Sequence, residues 1–280
     1  TDCRAVRDFN LPGHFLLMAT RKGQVKKTAL DAYSRPKRGG IIAIKLRPDD
    51  ELVDVVITKP GDELLLATVN GMAIRFNEAD ARPMGRNASG VRGIALAPDD
   101  ELVGMVVADP DAALLTACEN GYGKRTTFGN STRLDAGVEP SSEVDEASAA
   151  EPTEERSGSS RYRTQRRGGK GLRDIKTTRR NGKVVGIVRV DEEDELLMMT
   201  AGGMIQRIAV KEVSVVGRNT QGVRIMKLKD GDALTAIVRV PREESAETLE
   251  ASNEVPADGD QPQEDRQPEE DGADAGSESQ

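Results

Sequence analysis

The chain has 280 residues, a formal net charge of −8, and 31% charged residues. Its two cysteines, Cys3 and Cys118, match no metal-binding spacing, which argues against a disulfide scaffold or a zinc site and fits a reducing cytosol. No apolar run approaches the ~20 residues that span a bilayer, and no charged-then-apolar leader opens the chain. We therefore expect a soluble, uncleaved, cytoplasmic protein with no membrane partner.

Acidic residues are concentrated in two segments. Residues 135–160 contain 8 acidic and 1 basic residue, and residues 241–280 contain 14 acidic and 2 basic residues. Both segments have too few apolar residues to form a core, so we predict a disordered insertion and a disordered tail. The remainder, within residues 1–240, then carries a net charge of +11, which favours a polyanionic partner for which the acidic segments would compete.

One pattern occurs four times in residues 1–240, and we call each copy a module. Every module begins with an apolar strand, and the four strands cover residues 15–20, 64–68, 114–118 and 196–200. A turn glycine follows each strand, at Gly23, Gly71, Gly121 and Gly203. The pairs Asn70-Gly71 and Asn120-Gly121 are typical of tight hairpins that need a positive φ.

A second glycine opens a later strand in each module, at Gly40, Gly90, Gly171 and Gly222. The period is about 50 residues, as in radial four-stranded repeats, and only the third module is longer, by 31 residues. Short apolar strands at this spacing, with no long stretch of helical periodicity, predict an all-β propeller-like fold of about four blades.

Basic residues recur at equivalent places in the modules. After the turns stand Lys26, Lys27, Arg75, Lys124, Arg125 and Arg207, and in the loops before the second glycines stand Lys37, Arg38, Arg82, Arg86, Arg161, Arg163, Arg166, Arg167, Lys170 and Arg218. In a radial repeat, equivalent positions share a face, so we predict a basic rim that binds and bends double-stranded DNA through its phosphates. A propeller that docks an acidic protein is the alternative.

The heptad at 165–171 has the densest cationic character. It comprises Gln165, Arg166, Arg167, Gly168, Gly169, Lys170 and Gly171. Glycines let a backbone approach phosphate closely, and the N–H groups and cations then supply donors and charge. A nucleotide P-loop is excluded because Ser or Thr would have to follow Lys170. We predict that all seven residues contact DNA.

Catalytic residues are not evident. His14 is the only histidine, and the acidic clusters at 49–51 and 99–101 recur once per module after a proline, which indicates structural turns. The seven aromatic residues lie mostly beside strands, which favours packing over base stacking, although Tyr162 could brace the heptad. We predict that this chain has no catalytic residue and no cofactor or metal site of its own.

The heptad is identical to the signature box of the C-terminal domain of DNA gyrase A, which this chain resembles. Residues 67–71, 120–126 and 216–223 are similar to later blades of that domain. The resemblance implies a β-pinwheel with strands exchanged between blades, DNA wrapping with positive writhe, and a role in ATP-dependent negative supercoiling. It also implies ATP, Mg²⁺ and the catalytic tyrosine in other parts of the parent topoisomerase, and an A2B2 heterotetramer with the gyrase B subunit.

The chain departs from that family in one respect. The family's box lies in the first blade, whereas this heptad lies in the third of four modules. The related topoisomerase IV domain, a further alternative, generally lacks an intact box. The resemblance therefore transfers DNA contact to residues 165–171 more directly than an essential role in wrapping.

Overall fold

The computed structural model describes residues 5–129 and 161–241. These residues form fifteen β-strands and three 3-10 helices, at Leu30–Tyr33, Glu78–Asp80 and Val210–Glu212, and they contain no α-helix. The strands make four antiparallel sheets, so the predicted all-β class is confirmed. The predicted insertion at 135–160 and the tail beyond Pro241 lie outside the described residues.

Each sheet is one blade. Blade 1 contains β1 (Phe15–Thr20), β2 (Gln24–Ala29), β3 (Leu52–Thr58) and β6 (Val91–Arg92). Blade 2 contains β4 (Glu63–Thr68), β5 (Met72–Asn77), β7 (Leu102–Ala108) and β10 (Leu172–Arg173). Blade 3 contains β8 (Ala113–Cys118), β9 (Tyr122–Thr127), β11 (Val184–Val190) and β14 (Val223–Arg224). Blade 4 contains β12 (Glu195–Thr200), β13 (Ile205–Ala209) and β15 (Leu234–Val240).

The outermost strand of blades 1 to 3 comes from the following module. In blade 1, β6 pairs with β2 through Val91 opposite Val25 and Arg92 opposite Gln24. The strands β10 and β14 complete blades 2 and 3 in the same register. Repeat spacing does not distinguish a propeller from a pinwheel, but this exchange identifies a pinwheel.

Blade 4 contains three strands among the described residues. No described residue pairs with the outer edge of β13, and Ile205 on that edge is 63% exposed. Its counterparts Val25 and Ala73, which the exchanged strands cover, are 0% and 1% exposed. The exchanged strand is therefore what buries this position in the other blades.

The hydrophobic core is divided among the contacts between blades. One cluster combines Leu17 and Val25 of blade 1 with Leu64 and Ile74 of blade 2, and similar clusters join the later blades. The apolar first strands of the modules are buried because each faces a neighbouring blade. Burial of such side chains contributes about 1.5–3 kcal/mol each, so adjacent blades stabilise one another.

The hairpin glycines have the predicted positive φ, and at Gly71 the neighbouring module also excludes a side chain. Gly71 has φ +81°, and a Cβ there would lie 2.3 Å from the carbonyl oxygen of Ile175, which follows β10. Gly203 has the same conformation, φ +82°, but no atom within 4 Å of a Cβ. A side chain at Gly203 would therefore meet backbone strain alone, whereas a side chain at Gly71 would meet backbone strain and steric overlap.

We expect Gly71→Ala to be more destabilising than Gly203→Ala. Alanine in the left-handed region lowers the free energy of unfolding by on the order of 1 kcal/mol at either site. At Gly71 the new Cβ must also displace the segment around Ile175, which lowers the free energy of unfolding by about 2 kcal/mol more. Urea unfolding of both variants measures the difference. Equal losses would show that β10 does not hold the 71–175 contact in solution.

Candidate nucleic-acid interface

The heptad forms a loop that crosses from blade 2 to the exchanged strand of blade 1. Gln165 N–H donates to Arg75 O at 2.7 Å, Gly168 N–H donates to Gly93 O at 2.7 Å, and Gly169 O accepts from Ala95 N–H at 2.9 Å. These hydrogen bonds link modules 2 and 3. The N–H groups of Gln165 and Gly168 are thus engaged within the protein, which corrects the expectation that the loop's N–H groups are open to phosphate.

Gly171 is needed for protein packing. It has φ +78°, and a Cβ there would lie 2.4 Å from Ala73 O on β5. The glycine lets β10 pair directly with β5, so its role is close approach to a neighbouring strand. Several heptad residues therefore serve contacts within the protein, and we keep the prediction of DNA contact for the heptad side chains that are exposed.

The cations of the heptad have different surroundings. Arg167 is half-buried and donates through Nε to Asp80 O at 3.1 Å and through a terminal nitrogen to Arg92 O, so it links the loop to the 3-10 helix after β5 and to the exchanged strand β6. Arg166 and Lys170 are exposed. These two side chains are the ones that the loop presents to solvent.

Tyr162 precedes the heptad and is hydrogen-bonded to Asp174, which follows it. Its hydroxyl donates to Asp174 Oδ1 at 2.6 Å, and Asp174 also receives Lys124 Nζ at 2.9 Å and Thr116 Oγ1 at 2.8 Å. Tyr162, Asp174 and Lys124 are at most 2% exposed. Burial raises the pKa of Tyr162 well above its usual value, so the phenol stays protonated and donates to the carboxylate.

Five of the cations predicted to form a rim are inside the blades. Lys26, Lys27, Arg75, Lys124 and Arg125 are all 5% exposed or less. The prediction that they present an exposed rim is wrong. Each lies on the second strand of a hairpin that the following module covers, so its side chain is buried between modules instead of reaching solvent.

Their charged groups have partners inside the protein, either carboxylates or carbonyl oxygens, as a buried cation requires. Lys27 pairs with Glu78, Arg75 pairs with Glu63 at 2.5 Å, and Arg125 donates to Val213 O at 2.6 Å. Arg75 also donates to two carbonyl groups that are distant in sequence, Phe128 O at 2.9 Å and Tyr162 O at 3.2 Å.

Blade 4 shows why the burial depends on the next module. Arg207 occupies the position of Arg75, and its partner Glu195 occupies the position of Glu63. The Arg75 and Glu63 side chains are 1% and 8% exposed, but those of Arg207 and Glu195 are 58% and 38% exposed. The same ion pair is buried only where a following module covers it.

Two of the buried lysines have lowered pKa values. Burial, with a smaller contribution from the charge of Arg86, lowers the pKa of Lys26 to about 8. Burial also lowers the pKa of Lys124, against the opposing attraction of Asp174. Both groups are positioned by carbonyl oxygens of neighbouring segments, such as Arg86 O at 2.6 Å from Lys26 Nζ.

The other predicted site residues lie nearer the surface. Those classed as exposed are Lys37, Arg38, Arg82, Arg161, Arg163, Arg166, Lys170 and Arg207, and those half-buried are Arg86, Gln165, Arg167, Gly168, Gly169, Gly171 and Arg218. Burial lowers the pKa of Arg218, with Tyr162 and Asp174 opposing the shift. Most of the exposed set belongs to loops between the blade hairpins and the exchanged strands.

Sequence reasoning missed three exposed arginines on the exchanged strands. Arg92, Arg173 and Arg224 stand at the same register, opposite Gln24, Met72 and Tyr122. Among the described residues, none of their side chains pairs with a carboxylate. A signal was present, since Gly-x-Arg occurs at 90–92, 171–173 and 222–224, but only strand exchange places these arginines at equivalent blade edges.

A cavity of about 550 Å³ opens beside the heptad. Lys170, Arg173 and Thr177 line one part of it, and Asp100 and an apolar wall containing Leu96 line the rest. The exposed heptad lysine and an exchanged-strand arginine therefore border the same concavity. A phosphate near its opening could be reached by both cations.

The acidic clusters are structural turns, as predicted. Asp49 and Asp99 have φ of +58° and +59°, and Asp50 accepts from Thr20 Oγ1 at 2.7 Å and from Lys22 N–H at 2.9 Å.

Within residues 5–129 and 161–241, no group of three or more His, Cys, Asp or Glu side chains could hold a metal ion. No helix in this described part is long and apolar enough to cross a membrane.

Comparison with known proteins gives consistent results. The family model of the DNA gyrase C-terminal domain, beta-propeller, matches residues 14–59, 62–109, 156–191 and 194–241. The DNA gyrase A protein of Clostridium acetobutylicum is 46% identical over 241 residues, and that of Haloquadratum walsbyi is 37% identical over 228 residues. These alignments cover 86% and 81% of this chain but 25% and 23% of the relatives.

Solved structures show the same fold. A DNA gyrase A C-terminal domain superposes with a TM-score of 0.65 at 24% identity, covering 84% of this chain and 68% of that one. A DNA topoisomerase IV C-terminal domain gives 0.69 at 24% identity, covering 88% and 68%. The chain spans about a quarter of the length of its curated relatives. The four matched segments coincide with the four modules, and the chain belongs to the family of DNA gyrase C-terminal domains.

Proposed function

We propose that this chain binds duplex DNA without sequence preference and bends it around the edge of its blades, as the DNA-wrapping part of a gyrase A protein. The repeated exposed arginine at each exchanged strand carries this proposal. Arg92, Arg173 and Arg224 project at equivalent edges of three successive blades. Repeated cations on a curved scaffold favour a bent path for a polyanion.

The exposed loop cations extend this surface. Arg166 and Lys170 lie on the heptad loop, which hydrogen bonds fasten between modules 2 and 3. Contacts of this kind are made with phosphates, so sequence preference would come from DNA deformability. Bending 20–30 base pairs by 40–90° costs on the order of 1–6 kcal/mol, which several phosphate contacts offset at moderate salt.

In the parent enzyme, this wrapping would supply the DNA geometry for ATP-dependent negative supercoiling. The ATP, the Mg²⁺ and the catalytic tyrosine would then come from the rest of gyrase A and from gyrase B, in an A2B2 assembly. A cytoplasmic location is part of the same proposal.

DNA length and DNA topology together test the proposal. Affinity should rise with duplex length up to several helical turns, and closing nicked circles with ligase in the presence of the protein should change their linking number. Raising the salt concentration should abolish both effects. Docking of an acidic protein on the same surface would give neither length dependence nor a linking change, and that result would reject wrapping.

A further inference from the structure

The turn between β10 and β11, residues 176–183, differs from its counterparts in the other modules. There, an aspartate caps the neighbouring hairpin: Asp100 Oδ1 accepts from Asn70 N–H at 3.0 Å, and Asp232 Oδ1 accepts from Gly202 N–H at 2.8 Å. In module 3, Asn120 N–H donates to the backbone oxygen of Asn181 at 3.1 Å. The turn needs no carboxylate, and its charged residues are Lys176, Arg179, Arg180 and Lys183.

A buried amide holds this cationic turn in one conformation. Asn181 is 0% exposed, and its Oδ1 accepts from Thr178 N–H at 2.8 Å while its Nδ2 donates to Lys176 O at 3.1 Å and Gln221 O at 3.2 Å. Asn120 Nδ2 adds a bond to Arg180 O at 3.1 Å. The turn is thus attached both to the blade 3 hairpin and to module 4, so it presents its cations from a preorganised backbone.

Two of the exposed cations of this region converge on one phenol. Arg180 Nε lies 3.3 Å and an Arg224 terminal nitrogen 3.1 Å from Tyr122 Oη, and both guanidinium groups lie over the ring at 5.0 and 5.5 Å from its centroid. Neither arginine forms an ion pair with a carboxylate of the described residues. Glu119, on the same hairpin, is engaged by Lys183 N–H at 2.9 Å.

This arrangement favours an anion. Two like charges that share a neutral acceptor repel each other, and a phosphate oxygen between them would convert the repulsion into two charge-assisted hydrogen bonds. Planar guanidinium groups match phosphate geometry. The Tyr122 hydroxyl accepts from both arginines and so holds the two guanidinium groups next to each other.

We propose that Arg180, Arg224 and Tyr122 form a phosphodiester-binding site on blade 3 that fixes one point of the bound DNA. This inference rests on the proposed function and adds a contact that the other exchanged strands do not make. Gln24 and Met72 occupy the place of Tyr122 in blades 1 and 2. The turns before β3 and β7, which would bear a counterpart of Arg180, contain Asp49 and Asp50 in blade 1 and Asp99 and Asp100 in blade 2.

The test compares Arg180→Gln and Arg224→Gln with Arg21→Gln, which removes the same charge from an arginine already paired with Glu51 and Glu101. Binding to a duplex of several helical turns is measured over a series of salt concentrations. Each site variant should lose about tenfold in affinity at low salt, and the slope of log K against log salt should fall by about 0.9. Arg21→Gln should leave the slope unchanged.

A second measurement uses the unmodified protein. On addition of a duplex of about one helical turn, the NMR signals of the Nε–Hε groups of Arg180 and Arg224 should shift together, while that of Arg21 stays in place. Two results would overturn this inference and leave the proposed function intact. The first is a slope of log K against log salt that is the same for the site variants as for Arg21→Gln, and the second is arginine signals that do not shift when DNA binds. Failure of the unmodified protein to bind duplex in a salt-dependent way would instead defeat the proposed function.

Discussion

Replacing Asp174 with alanine is expected to lower the free energy of unfolding by about 3–5 kcal/mol. Its carboxylate is 1% exposed and pairs with the fully buried Lys124 at 2.9 Å. The alanine variant would leave that ammonium group buried without a counter-charge and would also remove the acceptor of the Tyr162 and Thr116 hydroxyls. Urea unfolding followed by circular dichroism measures the loss.

Thr116→Val is the matched control, because it removes one hydrogen bond to the same carboxylate and should cost about 1 kcal/mol.

The deficit of Asp174→Ala, meaning its loss of unfolding free energy relative to the unmodified protein, should also depend on pH. Without Asp174, burial lowers the pKa of Lys124 further, so the unfolded state binds more protons than the folded state and stability rises with pH. The deficit should therefore be larger at about pH 6 than at about pH 9. A loss no greater than that of Thr116→Val would show that the buried pair is not maintained.

The triple variant of Arg92, Arg173 and Arg224 to glutamine is expected to reduce duplex affinity about a thousandfold at low salt. The reason is that each lost phosphate contact costs about tenfold, and contacts on separate blades combine independently. The salt slope should fall by about 3, since each contact contributes about 0.9. Fluorescence anisotropy with labelled duplex at several salt concentrations measures both quantities.

The control for this experiment removes three positive charges elsewhere, by glutamine replacement of Arg21, Lys59 and Lys229. These side chains lie on turns and outside the exchanged strands. If net charge alone governed binding, both triple variants would lose affinity equally. Equal losses would therefore refute the assignment of the exchanged-strand arginines as the main phosphate contacts.

The two experiments address two classes of cation. Lys27, Arg75, Lys124 and Arg125 neutralise buried carboxylates or bind carbonyl groups, so changing them should act on stability. Arg92, Arg173 and Arg224 are exposed, so changing them should act on binding with little effect on folding. Stability and affinity measurements on the same variants thus separate structural cations from those that contact DNA.

Much of the fold followed from local sequence. The predicted first strand at 15–20 matches β1, and the other first strands differ from β4, β8 and β12 by one residue at their starts. The turn glycines have the expected positive φ because a tight hairpin needs that conformation. The prediction of structural turns after Pro48 and Pro98 is also confirmed, since an aspartate that caps a hairpin recurs with the repeat.

The candidate site was less predictable. A basic residue in a short strand has the same local sequence whether it faces water or a following module. Local sequence therefore does not distinguish the buried Arg75 from the exposed Arg207. Strand exchange places Arg92, Arg173 and Arg224 at the edges of the blades. Convergence of Arg180 and Arg224 on Tyr122 brings together residues up to 102 positions apart.

The amino-acid sequence by itself therefore determined the repeat, its period, the hairpins and the concentration of basic charge within residues 1–240, because these depend on glycine conformation and on apolar patterning over a few residues. Tertiary structure decided which blade receives each short strand and which cations are buried. Burial of a side chain depends on what packs against it from another module. Here the next module covers Arg75, which forms a buried ion pair with Glu63. No described segment covers Arg207 in the same way, so the equivalent ion pair with Glu195 is exposed to solvent.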